Sequence, residues 1–241
     1  MKTPRGSCPQ EIIPLVISYL EGLERKGIRS LYVDVADSHV QPAGEVMGVT
    51  GKTVEALLSK VESRVSACTA CALHEGRTHT VFGKGDPRSA VMFIGEGPGR
   101  DEDLKGEPFV GRSGQLLTRI LAAIDFERDD VYITNIVKCR PPQNRDPMEE
   151  EVRCCERYLI EQIELIKPRL ICALGRIAAQ WLLGTKEPLT SLRSTEHSYR
   201  GIPVLVTYHP AALLRNPELK RETWEDFKKL KALISKGKVQ S

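Results

Sequence analysis

The stretch AVMFIGEGPGRDEDLKGEPFVGRSGQLLTRILAAI (90–124) decides the fold. It opens on a short apolar run, AVMFI, which predicts a strand buried on both faces, as in a parallel sheet covered by helices. The glycine-rich loop GEGPG follows, and then Leu117, Leu121 and Ile124 recur at helical spacing. The stretch therefore predicts a strand, a glycine loop and a helix that packs back onto the strand.

Three further runs of the same apolar kind follow, VYITNIV (131–137), RLICAL (169–174) and PVLVT (203–207). Helical stretches separate and follow them, at about 147–167, 176–183 and 218–235. Alternating strands and helices predict βαβ units with right-handed crossovers. We therefore predict an α/β fold: a three-layer α-β-α sandwich around a four-stranded parallel sheet.

Each predicted strand runs directly into a loop with reactive or glycine residues. The loops are GEGPG (95–99), Asn135–Pro142, Gly175–Arg176 and Tyr208–Pro210. In open α/β sheets, ligands bind outside the carboxyl ends of the strands. The sequence therefore predicts a functional site at this edge of the sheet.

The chain outside these runs indicates an appendage and no membrane segment. Helical spacing at 11–26 and a glycine-rich stretch at 41–51 predict an N-terminal appendage (1–50) before the main domain (51–241). No apolar run approaches the roughly 18 residues that span a bilayer, and the first residues lack a signal-peptide core. The net charge of +3 permits nucleic-acid binding without indicating it. We expect a cytoplasmic monomer.

Seven cysteines are a high number for 241 residues. An odd number in a reducing compartment argues against a disulfide framework and favours metal ligation. Cys68 and Cys71 can chelate one metal from a single turn, and Cys139 follows the second strand. Four thiolates suit a [4Fe–4S] cluster or a zinc ion, and His74 keeps a zinc variant open. The alternative is a set of unrelated buried thiols, which is our prediction for Cys172.

The fourth ligand is either Cys154 or Cys155, and the predicted helix distinguishes them. Asp146 as N-cap and Pro147 as first helical residue predict where this helix begins. Cys155 then shares an apolar face with Leu159, while Cys154 points about 100° away. Cys155 is therefore the candidate ligand.

Three blocks carry a specific resemblance: GEGPGRDEDLKGEPFVGRSGQLL (95–117), YITNIVKCRPPQNRDP (132–147) and TYHPAALLRNP (207–217). In this order, interleaved with the cysteines, they resemble the family-4 uracil-DNA glycosylases from about residue 68 to the last helix. The resemblance implies a monofunctional hydrolase that flips uracil out of single- or double-stranded DNA and leaves an abasic site for base excision repair. It also implies a [4Fe–4S] cluster, held by Cys68, Cys71, Cys139 and Cys155.

The resemblance also implies which residues bind uracil. The amide of Asn135 offers a donor and an acceptor, which match O4 and N3–H of uracil and not the reversed pattern of cytosine. Phe109 stacks on the ring, and Gly95 and Gly97 let the backbone approach the base. The alternatives are a strand-end cap for the asparagine, a core position for the phenylalanine and turn glycines.

Catalysis is assigned to three further side chains of the same loops. His209 donates a hydrogen bond to O2 as the leaving uracil becomes anionic. Glu96 and Glu102 hold the attacking water or stabilise a cationic sugar, and Glu96 and His209 also border the base. Many related enzymes carry an aspartate where this chain has Gly97, which leaves the division of work between the two glutamates open.

DNA contact is expected from residues around these loops. Basic side chains bind phosphates without reading sequence, and apolar side chains wedge into the base stack. The candidates are Arg112, Lys138, Arg140 and Arg215 for phosphates, and Leu213 and Leu214 for the stack. For any single arginine the alternative is a solvated surface charge.

Two other functions compete with this hypothesis. A zinc or iron–sulfur module that only binds nucleic acid or a replication partner would keep the cysteines without needing Asn135, Phe109 and His209 together. A nucleoside triphosphatase is suggested by Gly51-Lys52-Thr53, but a phosphate-binding loop requires glycine at position 46, which is valine.

Overall fold

The computed structural model describes residues 51–235. The predicted N-terminal appendage (1–50) lies outside the described residues, so it stays a prediction. The described helices are α1 (Gly51–Ser66), α2 (Leu73–Gly76), α3 (Arg100–Lys105), α4 (Arg112–Ala122), α5 (Glu149–Ile166), α6 (Arg176–Leu183), α7 (Leu189–Arg193), α8 (Pro210–Arg215) and α9 (Leu219–Ser235).

Within the described residues, the strands form one mixed sheet in the order β1-β3-β2-β4-β6-β5. Their bounds are β1 (Lys84–Gly85), β2 (Val91–Gly95), β3 (Tyr132–Asn135), β4 (Leu170–Leu174), β5 (His197–Tyr199) and β6 (Ile202–Thr207). The four predicted runs, β2, β3, β4 and β6, pair in parallel. The prediction of a four-stranded sheet was wrong in its strand number, because β1 and β5 add antiparallel edges. Such short strands carry too few residues for a periodic pattern.

Each face of the sheet carries its own apolar core. Alternate strand residues such as Met92 and Ile94 pack with Leu159 of α5 and Ala179 of α6 on one face. Their neighbours, among them Phe93, pack on the other face with side chains of α4 and α9. The strands are buried on both sides, as parallel strands between helices should be, and the predicted three layers follow from these two cores.

The order of the strands places a crevice at one edge of the sheet. β2 lies between β3 and β4, and the segments that follow β2 and β4 lead to helices packed on opposite faces. At such a reversal the loops diverge and leave room for a ligand. Within residues 51–235, no helix is both long and apolar enough to cross a membrane.

Helix α5 begins two residues later than the sequence indicated. Met148 is its N-cap residue, and the Glu151 carboxylate accepts a hydrogen bond from the Met148 N–H at 2.7 Å. The prediction that Asp146 caps this helix was wrong, because its carboxylate instead pairs with Arg176 at 2.6 Å. The later start leaves the helical face that carries Cys155 unchanged.

Candidate active site

A cavity of about 510 Å³ opens at the carboxyl ends of the parallel strands. This volume lies in the range of small-molecule sites. Of the predicted site residues, those that line it are Glu96, Gly97, Glu102, Phe109, Asn135, His209 and Arg215. Gly175 and Arg176 line it too, so residues from all four strand-end loops meet in one pocket.

Asn135 provides an unsatisfied acceptor at the base of this cavity. The residue is 1% exposed, and its Oδ1 has no hydrogen-bond partner. Gly95 stands opposite it across the β2–β3 pair, and a Cβ at Gly95 would lie 2.4 Å from Asn135 Oδ1 and 2.8 Å from the Phe109 ring. Glycine is therefore required there. A buried acceptor without a partner costs free energy, so the site suits a ligand that donates a hydrogen bond.

Phe109 is held in the pocket by an unusual backbone conformation. Its φ is 52°, and its ring centroid lies 5.4 Å from that of His209. The buried Glu102 carboxylate accepts hydrogen bonds from the N–H groups of Val110 and Gly111, both at 2.9 Å. Gly114 supports the same turn, because a Cβ there would lie 1.8 Å from the Phe109 carbonyl oxygen. Glu102 thus orders the loop that presents the aromatic ring.

The contacts of His209 define its protonation. His209 caps the N-terminus of α8, where its Nδ1 accepts a hydrogen bond from the Ala211 N–H at 3.1 Å. The hydrogen-bond network therefore assigns the ring proton to Nε2. Burial, with a smaller effect from Arg215, lowers the pKa of His209 to about 4. At neutral pH the ring is a neutral donor.

Glu96 follows β2 directly and is half-buried at the cavity wall. Its pKa is raised to about 7, chiefly by burial and also by the charge of Asp146, while Arg176 opposes the shift. Asp146 and Arg176 also line the cavity and pair with each other at 2.6 Å. The sequence analysis did not assign either residue to the site. Arg176 lies in the predicted loop after β4, while Asp146 lies beyond Asn135–Pro142 and was predicted to cap a helix. A carboxyl with a pKa near neutrality suits a general base.

The predicted cysteine ligands occupy a shared region beside the α1–α5 core. Cys139 and Cys155 are buried in that core, and Cys68 and Cys71 pack against it. The described cysteines are all unpaired. Arg77 donates to Cys139 Sγ at 3.2 Å, and the Lys138 N–H donates to Cys155 Sγ at 3.3 Å. Hydrogen-bond donors aimed at sulfur are typical of iron–sulfur sites.

The charges of these thiols are coupled. The pKa of Cys155 is raised to about 11, chiefly by burial; Lys138 opposes the shift, and the neighbouring Cys139 and Cys71 add to it. Burial also raises the pKa of Cys139, with a contribution from Cys68. Converging thiolates repel one another, and a bound cationic centre relieves the repulsion. The donor chemistry therefore fits a four-thiolate cluster, although no group of three or more such side chains within residues 51–235 is arranged to hold a metal ion as it stands.

Comparison with known proteins gives the family. Residues 82–228 match the sequence profile of the Uracil DNA glycosylase superfamily. The chain belongs to the uracil-DNA glycosylase superfamily. The resemblance that the three blocks carry is confirmed.

Individual relatives agree with the family match. The type-4 uracil-DNA glycosylase of Archaeoglobus fulgidus is 46% identical over 187 residues, which cover 74% of this chain and 94% of the relative. That of Thermotoga maritima is 46% identical over 188 residues, covering 76% and 98%. A type-5 uracil-DNA glycosylase of Pyrobaculum aerophilum is 34% identical over 148 residues, covering 54% and 64%. The chain is thus similar to both types, over a longer stretch to type 4.

Two of the predicted DNA contacts were wrong. Lys138 is 1% exposed, and its ammonium group bonds to oxygens of the protein interior. Leu213 is also 1% exposed, because it faces inward on α8. Neither can reach DNA. The remaining candidates lie at the surface, fully or in part, and they are Arg112, Arg140, Leu214 and Arg215.

Proposed function

We propose that this chain is a monofunctional uracil-DNA glycosylase of the type-4 kind, which releases uracil from DNA and leaves an abasic site for base excision repair. The observation that carries the proposal is the unpartnered Oδ1 of Asn135, buried in a pocket with Phe109 and a neutral His209. The type-4 relatives at 46% identity support the same activity.

Uracil recognition rests on hydrogen-bonding pattern and shape. A base inside a duplex must first be flipped out to reach such a pocket. Asn135 Oδ1 then accepts from N3–H of uracil, while its amide nitrogen donates to O4. Cytosine offers no proton at N3, so Oδ1 would stay unsatisfied and the base would be rejected. Phe109 stacks on the ring, and Gly95 leaves room for the base. Gly97 lets the loop pack closely against the protein, since a Cβ there would lie 2.8 Å from Val137 Cγ2.

Hydrolysis places the oxygen of water on C1′ of the sugar and leaves the bonding electrons of the C1′–N1 bond on uracil. His209 stabilises that negative charge by donating Nε2–H to O2, and a neutral donor suits this task because it need not give up its proton. Glu96 accepts the proton of the attacking water as general base. Glu102 acts through the Phe109 loop, since its Oε1 accepts hydrogen bonds from two backbone N–H groups of that loop.

Cys68, Cys71, Cys139 and Cys155 would hold a [4Fe–4S] cluster. Bound there, the cluster would supply a covalent tie between the segment after α1, the loop after β3 and helix α5. That tie would order the proline-rich loop at Pro141 and Pro142, next to the pocket.

DNA would lie across the pocket mouth. Arg112, Arg140 and Arg215 are placed to bind its phosphates, and Leu214, 37% exposed, can enter the base stack. We propose that the protein acts as a monomer, because one chain supplies every side chain of the pocket. We also propose that the protein is located in the cytoplasm, which the unpaired cysteines of the described residues support.

An excision assay tests the proposal. Protein is incubated with an oligonucleotide that carries one uracil, and alkali then cleaves any abasic site. We expect cleavage at uracil alone, absent from matched cytosine and thymine oligonucleotides and lost in His209→Ala. No cleavage by a folded, brown preparation would reject uracil as the substrate, and unchanged DNA binding by His209→Ala would then favour the binding module.

A further inference from the structure

Lys138 carries an ammonium group that is wholly enclosed by protein. The residue is 1% exposed. Its Nζ donates to Gln162 Oε1 at 2.6 Å, to Thr134 Oγ1 at 2.7 Å and to the backbone oxygen of Asn135 at 2.7 Å. Three acceptors match the three N–H bonds of an ammonium group. The nitrogen is therefore fixed from three directions.

The partners of Lys138 are themselves held by a polar network. Thr134 Oγ1 donates to the Phe82 carbonyl at 2.8 Å, and Gln162 Nε2 donates to the same carbonyl at 3.0 Å. Gln162 Nε2 also contacts Tyr132 Oη at 3.1 Å. A buried network with its partners satisfied is rigid. It joins strand β3 to helix α5 and to the segment before β1.

The backbone of Lys138 is anchored on its other side. Its N–H donates to Cys155 Sγ at 3.3 Å, and its carbonyl accepts from the Val81 N–H at 2.7 Å. The side chain thus reaches back from a fixed backbone to the carbonyl three residues earlier. That carbonyl belongs to Asn135, whose own side-chain oxygen has no partner to hold it in place.

We infer that Lys138 is a positioning residue that holds the Asn135 peptide, so that the Asn135 amide points at the base. This inference rests on the proposed function. A recognition group must be held within a fraction of an ångström by its supporting contacts. Since the Asn135 side chain faces an open pocket, its backbone must supply that restraint, and Lys138 is the side chain bonded to its carbonyl.

A double-mutant cycle tests the inference. The measured quantity is the ratio of affinities for an oligonucleotide with a hydrolysis-resistant, 2′-fluorinated deoxyuridine and one with cytosine in its place. Lys138→Met should lower this ratio about tenfold or more in the otherwise unchanged protein, and less than about threefold in the Asn135→Ala background. Retained brown absorption and a cooperative melting transition establish that each variant is folded.

Gln162→Leu provides the matched control, because it removes one partner of the same network and leaves the bond from Lys138 to Asn135. It should destabilise the protein without changing the affinity ratio. If Lys138→Met does not fold, Lys138→Gln replaces it with the same expectation.

Three outcomes would overturn the inference: a ratio that Lys138→Met leaves unchanged, equal losses in both backgrounds, or an equal loss in Gln162→Leu. Excision of uracil by the unchanged protein separates this failure from failure of the proposed function.

Discussion

We expect the side-chain amide of Asn135 to contribute to uracil recognition and very little to the stability of the protein. Because its Oδ1 has no partner in the folded protein, Asn135→Ala removes an unsatisfied group, and we expect the free energy of unfolding to change by less than about 1 kcal/mol. Excision should fall about a hundredfold, since a hydrogen bond lost in a dry pocket costs on the order of 2–3 kcal/mol. Urea unfolding and single-turnover excision measure the two quantities.

Asn216→Ala is the matched control for this substitution. Asn216 ends helix α8 at the surface, so its loss should leave excision within about threefold. A large drop in stability for Asn135→Ala would contradict the reading of Oδ1 as an unpaired acceptor.

Glu96 predicts the pH dependence of excision. A general base must be ionised, so kcat/KM should rise with pH through a midpoint of about 7, the pKa of Glu96. His209 adds no limb in this range, because its pKa is about 4. Asp146→Asn should move the midpoint down and Arg176→Gln should move it up. Both variants break the same ion pair, so shifts in one direction would contradict a charge effect.

The raised pKa of Glu96 also makes the stability of the protein depend on pH. The pKa of Glu96 is raised from 4.5 to about 7 in the folded protein, so the folded state binds this proton more tightly than the unfolded state. The contribution of Glu96 to the free energy of unfolding is fully present below pH 4.5 and is lost as the pH rises to about 7. Glu96→Gln should therefore raise the melting temperature at alkaline pH and not in acid. Equal effects in acid and alkali would place Glu96 outside the buried wall.

At the scale of elements, the loop between α3 and α4 depends on Glu102. Glu102→Gln replaces the charged acceptor of two hydrogen bonds with a neutral one, so we expect a loss of about 1–3 kcal/mol in unfolding free energy and about a tenfold fall in kcat/KM. The pH midpoint near 7 should persist, since that belongs to Glu96. Loss of the midpoint in Glu102→Gln, and not in Glu96→Gln, would make Glu102 the base.

Helix α5 determines which of two adjacent cysteines is the ligand. Cys155 is buried in the core and accepts from the Lys138 N–H, while Cys154 is half-buried, one residue around the helix. Cys155→Ala should lose the brown absorption, and Cys154→Ala should keep it. Iron content and visible absorption of the purified variants measure this. The reverse result would mean that the ligand lies on the other helical face.

At the scale of the whole molecule, the sequence predicted correctly those features that are determined within a single strand or helix, and missed those that depend on contacts between elements. Strand β4 and helix α6 were placed within a residue, because apolar periodicity follows directly from burial on the sheet. Lys138 was misplaced, because its burial depends on Thr134 and on Gln162, which lies on another element. The Asp146–Arg176 pair was missed for the same reason: Asp146 follows β3 and Arg176 follows β4, and the strand order, which places these two strands on either side of β2, is not encoded in any short pattern.

DNA binding depends on where the basic residues lie on the surface. The net charge is only +3, so local clusters of basic residues must supply the attraction to DNA. Arg112 and Arg215 are exposed at the carboxyl edge of the sheet, and Arg88 and Arg169 are exposed at its amino edge. Each phosphate contact on duplex DNA contributes about 0.9 to the slope of log K against log salt. Replacing Arg112 and Arg215 with alanine should therefore reduce that slope by about two.

Replacing Arg88 and Arg169 with alanine provides the control, because it removes the same charge from the opposite edge and should leave the slope unchanged. Fluorescence anisotropy with a uracil-free duplex, over a series of NaCl concentrations, measures both pairs without excision. An equal reduction by both pairs would mean that DNA responds to total charge. A reduction confined to Arg112 and Arg215 would place the duplex across the edge where the uracil pocket opens.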